Sequence, residues 1–126
     1  MGYFQELNLY LYPIGYIFYM FFIEKTVEFD RWLRKLKDVR AKAKILFRIQ
    51  KIENNGHFGD CKNVGDGISE IRIHFAKGYR VYFKEKDGRI IVLLVGGDKS
   101  SQQRDVKRAN EIWNKLKEQK NGNLKI

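Results

Sequence analysis

The chain has 126 residues, with 25 Lys and Arg against 15 Asp and Glu, so its formal charge is +10. This length allows one domain, and a 32% charged composition of mixed sign excludes an intrinsically disordered chain. The single cysteine, Cys61, excludes an intramolecular disulfide framework and a cysteine-rich zinc module, so we expect a cytoplasmic protein. The excess of positive charge predicts an anionic partner, most commonly nucleic acid.

The chain opens with an aromatic, nearly uncharged segment. Residues 1–23 hold nine of the eighteen aromatic residues and a single charged one, so the rest of the chain carries +11. The uncharged stretch 7–23 is shorter than the roughly 20 residues that span a bilayer, and it lacks the basic start and cleavage site of a signal peptide. We therefore predict an N-terminal extension over 1–19, with Met20 as an alternative start, and no membrane partner. The domain itself is predicted over 20–118.

A strand and a helical hairpin are the first predicted elements of the domain. The short apolar run Phe21–Lys25 predicts a strand. Thr26 is the predicted N-cap of a helix, because apolar residues recur at i, i+3, i+4 and i+7 from Phe29 to Leu36. Asp38 is the predicted cap of a second helix after a tight turn. The apolar stripe of that helix consists of Ala41, Ile45, Leu46, Ile49 and Ile52.

The outer face of this hairpin is predicted to be strongly basic. Between residues 31 and 51 nine basic residues face one acid, and no Glu is interleaved to form the usual i,i+4 ion pairs. Such an excess favours an electrostatic docking surface, although a helix face of this kind can also be merely solvated. The candidate RNA contacts on it are Arg34, Lys35, Lys42 and Arg48.

A predicted loop separates the hairpin from the remaining strands. Residues 54–67 hold four of the eleven glycines and show no regular period. Three antiparallel strands follow in the prediction, the second and third joined by a turn with Asp-Gly at its centre. Their ranges are Ile68–Phe75, Tyr79–Lys84 and Ile90–Val95. The last strand is apolar without a break, which is typical of a central strand covered on both faces.

A C-terminal helix completes the predicted α+β fold of N-terminal strand, helical hairpin, three-stranded antiparallel sheet and C-terminal helix. Ser100 and Gln103 have the spacing of a capping box, and apolar residues keep the helical period to Leu116. Residues 119–126 are mostly polar, contain a glycine and are predicted to be a frayed tail.

Alternation along the first two of the three strands predicts a basic sheet face. If these strands pair as a hairpin, even-numbered residues of both lie on one side. Like charges that face each other destabilise a strand pair, so a phosphate ligand is one reason to keep them. The alternative is a wet face whose cations pair with Glu70, Glu85 or the C-terminal helix. The residues on this face are Glu70, Arg72, His74, Arg80, Tyr82 and Lys84.

The sequence lacks the motifs of several other enzyme classes. It contains no HExxH, CxxC, GxxxxGK[ST] or GxSxG, and His57 and His74 do not have the spacing of metal ligands. RNA can be cut without a metal if a base takes the 2′-OH proton, cations stabilise the phosphorane and an acid protonates the leaving oxygen. We therefore predict no metal and no cofactor.

Several segments resemble the HigB-like branch of the RelE/ParE toxin superfamily, over about residues 20–118. The segments are Gly78–Phe83, Val92–Val95, Gly96–Gln102, Asp105-Val106 and Ala109. The resemblance implies a RelE/ParE-like fold, a cognate antitoxin of helix-turn-helix type, and metal-independent cleavage of mRNA on the ribosome. ParE-like members act instead on DNA gyrase, and a noncatalytic nucleic-acid-binding module is a further alternative.

The resemblance also implies site residues. Arg80 matches the arginine that RelE-like toxins place on the scissile phosphate, Arg72 matches a basic position of the preceding strand, and Lys99 lies near a basic position after the last strand. Two departures concern the general base. The C-terminal helix has no Tyr where those toxins present one, and Glu70 stands where they often have Lys, so His74 is our candidate base. From the strand alternation, Tyr82 could stack on a nucleobase or merely cover the sheet, and Lys84 is a further candidate RNA contact.

Overall fold

The structure is a computed structural model that describes residues 21–124, with side chains described as far as Gln119. Its five strands form one sheet in the order β1-β5-β4-β3-β2, in which β1 runs parallel to β5 and the other neighbours are antiparallel. The strands are β1 (Phe22–Lys25), β2 (Cys61–Gly65), β3 (Ile68–Ile73), β4 (Tyr79–Lys86) and β5 (Ile90–Asp98). The helices are α1 (Val27–Lys35), α2 (Val39–Asn55) and α3 (Gln102–Leu124). The predicted α+β order of elements is confirmed.

The sheet has one more strand than the sequence predicts. The predicted loop over 54–67 contains β2, which pairs with β3 as an edge strand and is bulged between Asn63 and Gly65. Its five residues are half-buried or exposed, so no run of apolar residues marks it. Pairing with its neighbour, rather than local propensity, makes this segment a strand.

Helices cover both faces of the sheet. On one face, α1 and α2 contribute Phe29, Leu33, Ala41, Ile45 and Ile52 to a core that also contains odd-numbered strand residues such as Ile71 and Leu93. On the other face, α3 contributes Ala109 and Ile112 to a second core around Ile68, Tyr82, Val92 and Leu94. Consecutive residues of β5 thus enter opposite cores, which confirms the predicted central strand.

The α2 helix turns part of its predicted apolar stripe to solvent. Ala41, Ile45 and Ile52 are fully buried, as predicted, but Leu46 is 48% exposed and its neighbour Phe47 is 57% exposed. Each residue along a helix is rotated by about 100° from the previous one, so a helix that buries Ile45 turns the next two residues away from the sheet. The prediction that Leu46 belongs to the core is wrong.

The two predicted N-caps of the hairpin are confirmed. The buried Thr26 hydroxyl accepts a hydrogen bond from the Phe29 backbone N–H (2.9 Å) and donates one to the Leu94 carbonyl (2.6 Å). Asp38 accepts a hydrogen bond from the Ala41 N–H (3.1 Å). The Thr26 side chain therefore fixes the start of α1 to the middle of β5, in addition to its capping role.

A glycine pair at the end of β5 lets side chains from both layers approach the sheet. A Cβ atom on Gly96 would lie 2.2 Å from the Trp32 ring of α1, and one on Gly97 would lie 1.8 Å from the Asp105 carboxylate of α3. Both faces of the sheet thus depend on the absence of a side chain here. The packing constraint, rather than backbone freedom, explains two glycines in succession.

The last helix begins differently from the prediction. Asp98, not Ser100, caps a short 3₁₀ turn (Lys99–Ser101) that leads into α3, and its carboxylate accepts from the Ser100 N–H at 2.8 Å. The helix continues to Leu124, and the predicted frayed tail over 119–126 stays a prediction. The predicted extension over 1–19 lies outside the described residues. Within 21–124 there is no helix whose length and hydropathy would allow it to span a bilayer.

Candidate active site

The strand register places Glu70, Arg72, Arg80, Tyr82 and Lys84 on one sheet face, and His74 follows the end of β3. Arg72 lies directly opposite Arg80, and Glu70 lies opposite Tyr82. Even-numbered residues of β3 and β4 therefore share the face that α3 partly covers, as the alternation predicts. The helix divides this face into a buried part and an open end, and the two parts have different chemistry.

The buried part contains an ion pair between the two strands. Arg80 Nη1 donates to Glu70 Oε1 at 2.9 Å, and the two side chains are only 9% and 0% exposed. Gln102 of α3 donates to the second carboxylate oxygen, also at 2.9 Å. This confirms, for Arg80, the alternative in which cations of the face pair with Glu70. The guanidinium is thus bound within the strand pair, and the Glu70 carboxylate links that pair to α3.

Tyr82 lies in the core under α3 and is fully buried. Burial, together with the nearby Glu70 carboxylate, raises the pKa of Tyr82. The prediction that Tyr82 stacks on a nucleobase is wrong for this conformation, because no ligand can reach its ring. Lys84 is also engaged: its ammonium donates to the Asp66 carbonyl at 3.1 Å and lies 5.6 Å from the centroid of the Trp113 ring.

The open end of the face carries a His–Asp–Arg cluster. His74 has a side chain that is 70% exposed, and its Nε2 is hydrogen bonded to Asp60 Oδ2. Arg72 Nη2 lies 3.4 Å from the other carboxylate oxygen, Asp60 Oδ1. The hydrogen bond from His74, and the charge of Arg72, hold the pKa of Asp60 below its usual value. Asp60 is therefore an ionised carboxylate that bridges two of the predicted site residues.

Asp60 is the candidate site residue that sequence reasoning missed. It stands just before β2, in the segment predicted as a loop, and its carbonyl accepts a hydrogen bond from the Arg72 backbone N–H at 2.9 Å. Only the β2–β3 register places it beside His74. No local pattern in the sequence reports that register.

The cluster has the parts of a general acid–base site. Because Nε2 of His74 is bound to a carboxylate, the ring is held in one orientation and Nδ1 is the nitrogen left to exchange a proton. The Arg72 side chain is 33% exposed, so its guanidinium can reach an anionic ligand. A base and a fixed cation thus stand side by side at the edge of the sheet.

Lys99 lies near this end of the sheet, at the start of the 3₁₀ turn. Its side chain is exposed, and its Cβ is 3.6 Å from the position a Cβ of Gly78 would take in the β3–β4 connection. Hydrogen bonds from Ser100 lower the pKa of the adjacent Asp98, and the charge of Lys77 contributes to this shift. The structure thus brings Lys99 to the β3–β4 connection, which begins with His74 after the strand that carries Arg72.

The hairpin cations divide into exposed and structural ones. Arg34 and Lys35 are exposed, and Arg34 pairs with Asp30 of its own helix at 3.4 Å. Lys42 lies near the Arg34 carbonyl, 3.5 Å away. Arg48 does not face outward as predicted. Its guanidinium donates to three main-chain carbonyls, those of Phe58, Asp60 and Arg72, at 2.7–3.1 Å, so it ties α2 to the cluster.

No group of three or more His, Cys, Asp or Glu side chains with the geometry of a metal site occurs in the described part of the chain. Cys61 is a free thiol, and burial raises its pKa.

Comparisons with known proteins agree with this fold. The family model described as "Phage derived protein Gp49-like (DUF891)" matches residues 31–117. An uncharacterized protein of Haemophilus influenzae is 51% identical over 94 residues, which cover 75% of this chain and 94% of the relative.

Two solved structures of Escherichia coli proteins are similar. The intact RelBE toxin–antitoxin complex has a TM-score of 0.52 at 15% identity and covers 62% of this chain and 95% of its own. An arginine double mutant of the toxin RelE in the free state has a TM-score of 0.55 at 17% identity, and the match covers 71% of this chain and 97% of the RelE chain. The predicted RelE-like fold is confirmed, and the HigB-like branch stays a prediction.

Proposed function

The chain belongs to the phage-derived Gp49-like family, and from that membership and its RelE-like fold we propose that it is the toxin of a toxin–antitoxin module. Its activity in this proposal is metal-independent cleavage of mRNA on the ribosome. The observation that carries the proposal is the cluster at the open end of the sheet, where an exposed histidine is oriented by Asp60 beside a partly exposed arginine.

The cluster can perform the transfer to a 2′,3′-cyclic phosphate. His74 Nδ1 takes the proton of the 2′-OH, the 2′-oxygen bonds to phosphorus, and the bond from phosphorus to the 5′-oxygen breaks. Arg72 stabilises the negative charge that builds on the phosphorane, and the Lys99 ammonium gives a proton to the leaving 5′-oxygen. General acid–base groups of this kind contribute about 10²–10⁴-fold in rate.

Arg80 has a different role in this proposal from the one the resemblance implies. Its guanidinium is bound to a fully buried carboxylate, so a phosphate could take it only by leaving Glu70 without a cation. We assign Arg80 to positioning, because it lies opposite Arg72 and fixes the strand pair beneath the cluster. Arg72 takes the contact to the phosphate.

The exposed cations of the hairpin supply the docking surface. Contacts to phosphates position a protein without reading sequence, which suits ribosomal RNA as a platform. An acidic segment of the antitoxin would neutralise the same surface. Charge reversal at Arg34, Lys35 and Lys42 should abolish both toxicity and co-sedimentation with ribosomes, and retention of both would contradict the docking role.

The two histidines provide a matched test of the activity. His57 is exposed, like His74, but it makes no contact with the cluster in the described structure. In induced expression, His74→Ala should abolish growth arrest and mRNA cuts, and His57→Ala should keep both. Primer extension on translated and untranslated copies of one message should show cuts in the translated copy alone.

Three results would contradict the proposal. Double-strand DNA breaks with intact mRNA would indicate a gyrase poison instead. RNA binding without any toxicity would indicate a noncatalytic module. Equal activity of the His74→Ala and His57→Ala proteins would remove His74 from the chemistry.

A further inference from the structure

A groove beside the cluster is not used by the proposed reaction. It is open to solvent, lies between α2 and the end of β3, and has a volume of about 540 Å³. Its floor and walls are mainly apolar, with Ala43 and Phe47 from the helix, Ile73 from the end of β3 and Phe75 from the connection that follows it. His74 lies on its rim, so the groove begins where the proposed chemistry takes place.

The aromatic rings of this groove are accessible from solvent. Phe47 is 57% exposed although it is a large apolar side chain, and Phe75 is only partly buried. Lysine ammonium groups lie over both rings: Lys44 Nζ is 5.1 Å from the Phe75 centroid, and Lys51 Nζ is 5.5 Å from the Phe47 centroid. Exposed aromatic rings interleaved with cations are the pattern with which proteins bind single-stranded nucleic acid.

We propose that this groove binds one unstacked base of the RNA substrate, that of a nucleotide next to the scissile phosphate. The proposal rests on the proposed function for the identity of the ligand. A base that stacks on Phe75 or Phe47 takes the place of the lysine above the ring, and the displaced ammonium is then within reach of the flanking phosphate. The groove thus supplies the stacking contact that the buried Tyr82 cannot.

A partner helix is the competing occupant, and the groove fits it less well. A docked helix needs anchor sites at i, i+3 or i+4 and i+7 along an extended apolar surface. The remaining exposed apolar residues of α2, Val39 and Leu46, do not line the groove. A short groove with cations at its edge suits a flat ring with a phosphate attached to it.

The test uses RNA that cannot be cut. A fluorescein-labelled 2′-O-methyl RNA hexamer and an abasic phosphodiester of equal length and charge are titrated with the full chain by fluorescence anisotropy. Phe47→Ala should weaken binding of the base-bearing oligomer by roughly 5–150-fold, which corresponds to the stacking of one base, and should leave the abasic oligomer unchanged.

Leu46→Ala is the matched control. Leu46 is the preceding residue of the same helix and is similarly exposed, but it does not line the groove. This variant should bind both oligomers as the unmodified protein does. Because both side chains are exposed, neither variant should lose its fold, and circular dichroism with a melting curve verifies this.

Three results would overturn the proposal. The first is equal binding of the base-bearing and abasic oligomers by the unmodified protein. The second is an unchanged affinity of Phe47→Ala for the base-bearing RNA. The third is a Phe47→Ala protein that keeps RNA affinity and loses co-purification with an antitoxin encoded beside it, which would assign the groove to the partner.

Failure of this inference is separable from failure of the proposed function. If the Phe47→Ala variant cuts mRNA as well as the unmodified protein and has the same affinity for RNA, the base site is refuted and the catalytic proposal is not. A protein that stacks a base in the groove and cuts no RNA refutes the catalytic proposal alone.

Discussion

Replacement of Arg80 should destabilise the protein strongly, apart from any effect on chemistry. Its partner Glu70 is fully buried, with one carboxylate oxygen 2.9 Å from the guanidinium. The other carboxylate oxygen accepts a hydrogen bond from Gln102. Arg80→Leu therefore leaves a buried carboxylate without its cation, which costs about 3–5 kcal/mol in proteins. That is a large part of the roughly 5–15 kcal/mol by which a domain is stable.

A double-mutant cycle measures this directly. Urea unfolding followed by circular dichroism gives the free energy of unfolding for Arg80→Leu, Glu70→Leu and the protein with both substitutions. Each single change should cost several kcal/mol, and the double change should be close to neutral because no charge remains buried. Arg34→Ala, which breaks an exposed pair with Asp30, should cost no more than about 1 kcal/mol and is the control.

The result that would refute this reasoning is a small loss. If Arg80→Leu costs less than about 1 kcal/mol while Glu70 is present, the pair is not a buried one in solution. Arg80 would then be free to reach a phosphate, as the resemblance implies. If the cycle behaves as expected, the doubly substituted protein should retain mRNA cleavage, because Arg80 positions the strands and does not touch the substrate.

Three further changes test the site and the packing around it. Asp60→Asn should lower the free energy of unfolding at pH 7, because hydrogen bonding to His74 depresses the pKa of the Asp60 carboxyl in the folded state. The loss of stability relative to the unmodified protein should shrink below pH 3.8, as that carboxylate is protonated. A loss independent of pH in urea unfolding would contradict this. Gly96→Ala should cost about 1–3 kcal/mol in thermal unfolding, because its Cβ would overlap the Trp32 ring, and an unchanged melting temperature would contradict that contact. Asp98→Ala should cost about 0.5–2 kcal/mol near pH 7 through loss of the cap on the 3₁₀ turn that leads into α3. The cost should be smaller below pH 3.8, since the pKa of this carboxyl is also lowered.

The parts of the fold that local chemistry determines could be predicted from the sequence. Thr26 and Asp38 cap helices because their side chains accept from nearby N–H groups, and an unbroken apolar run marks β5 as covered on both faces. The edge strand β2 could not be predicted, because its side chains are polar or small and its conformation depends on pairing with β3. The position of Asp60 depends on the same pairing.

The alternation of a strand tells which residues share a face but not what covers that face. Glu70 lies within β3 and His74 follows directly after its last residue, yet the first is fully buried and the second is largely exposed. The difference arises because α3 crosses only part of the sheet, where Gln102 reaches Glu70. The two departures from the toxin pattern then have one physical meaning. Glu70 pairs with Arg80 under the helix, so Arg80 is not available to a phosphate. The proposed reaction therefore uses Arg72 and His74 at the uncovered end of the strand, where Asp60 orients the His74 ring.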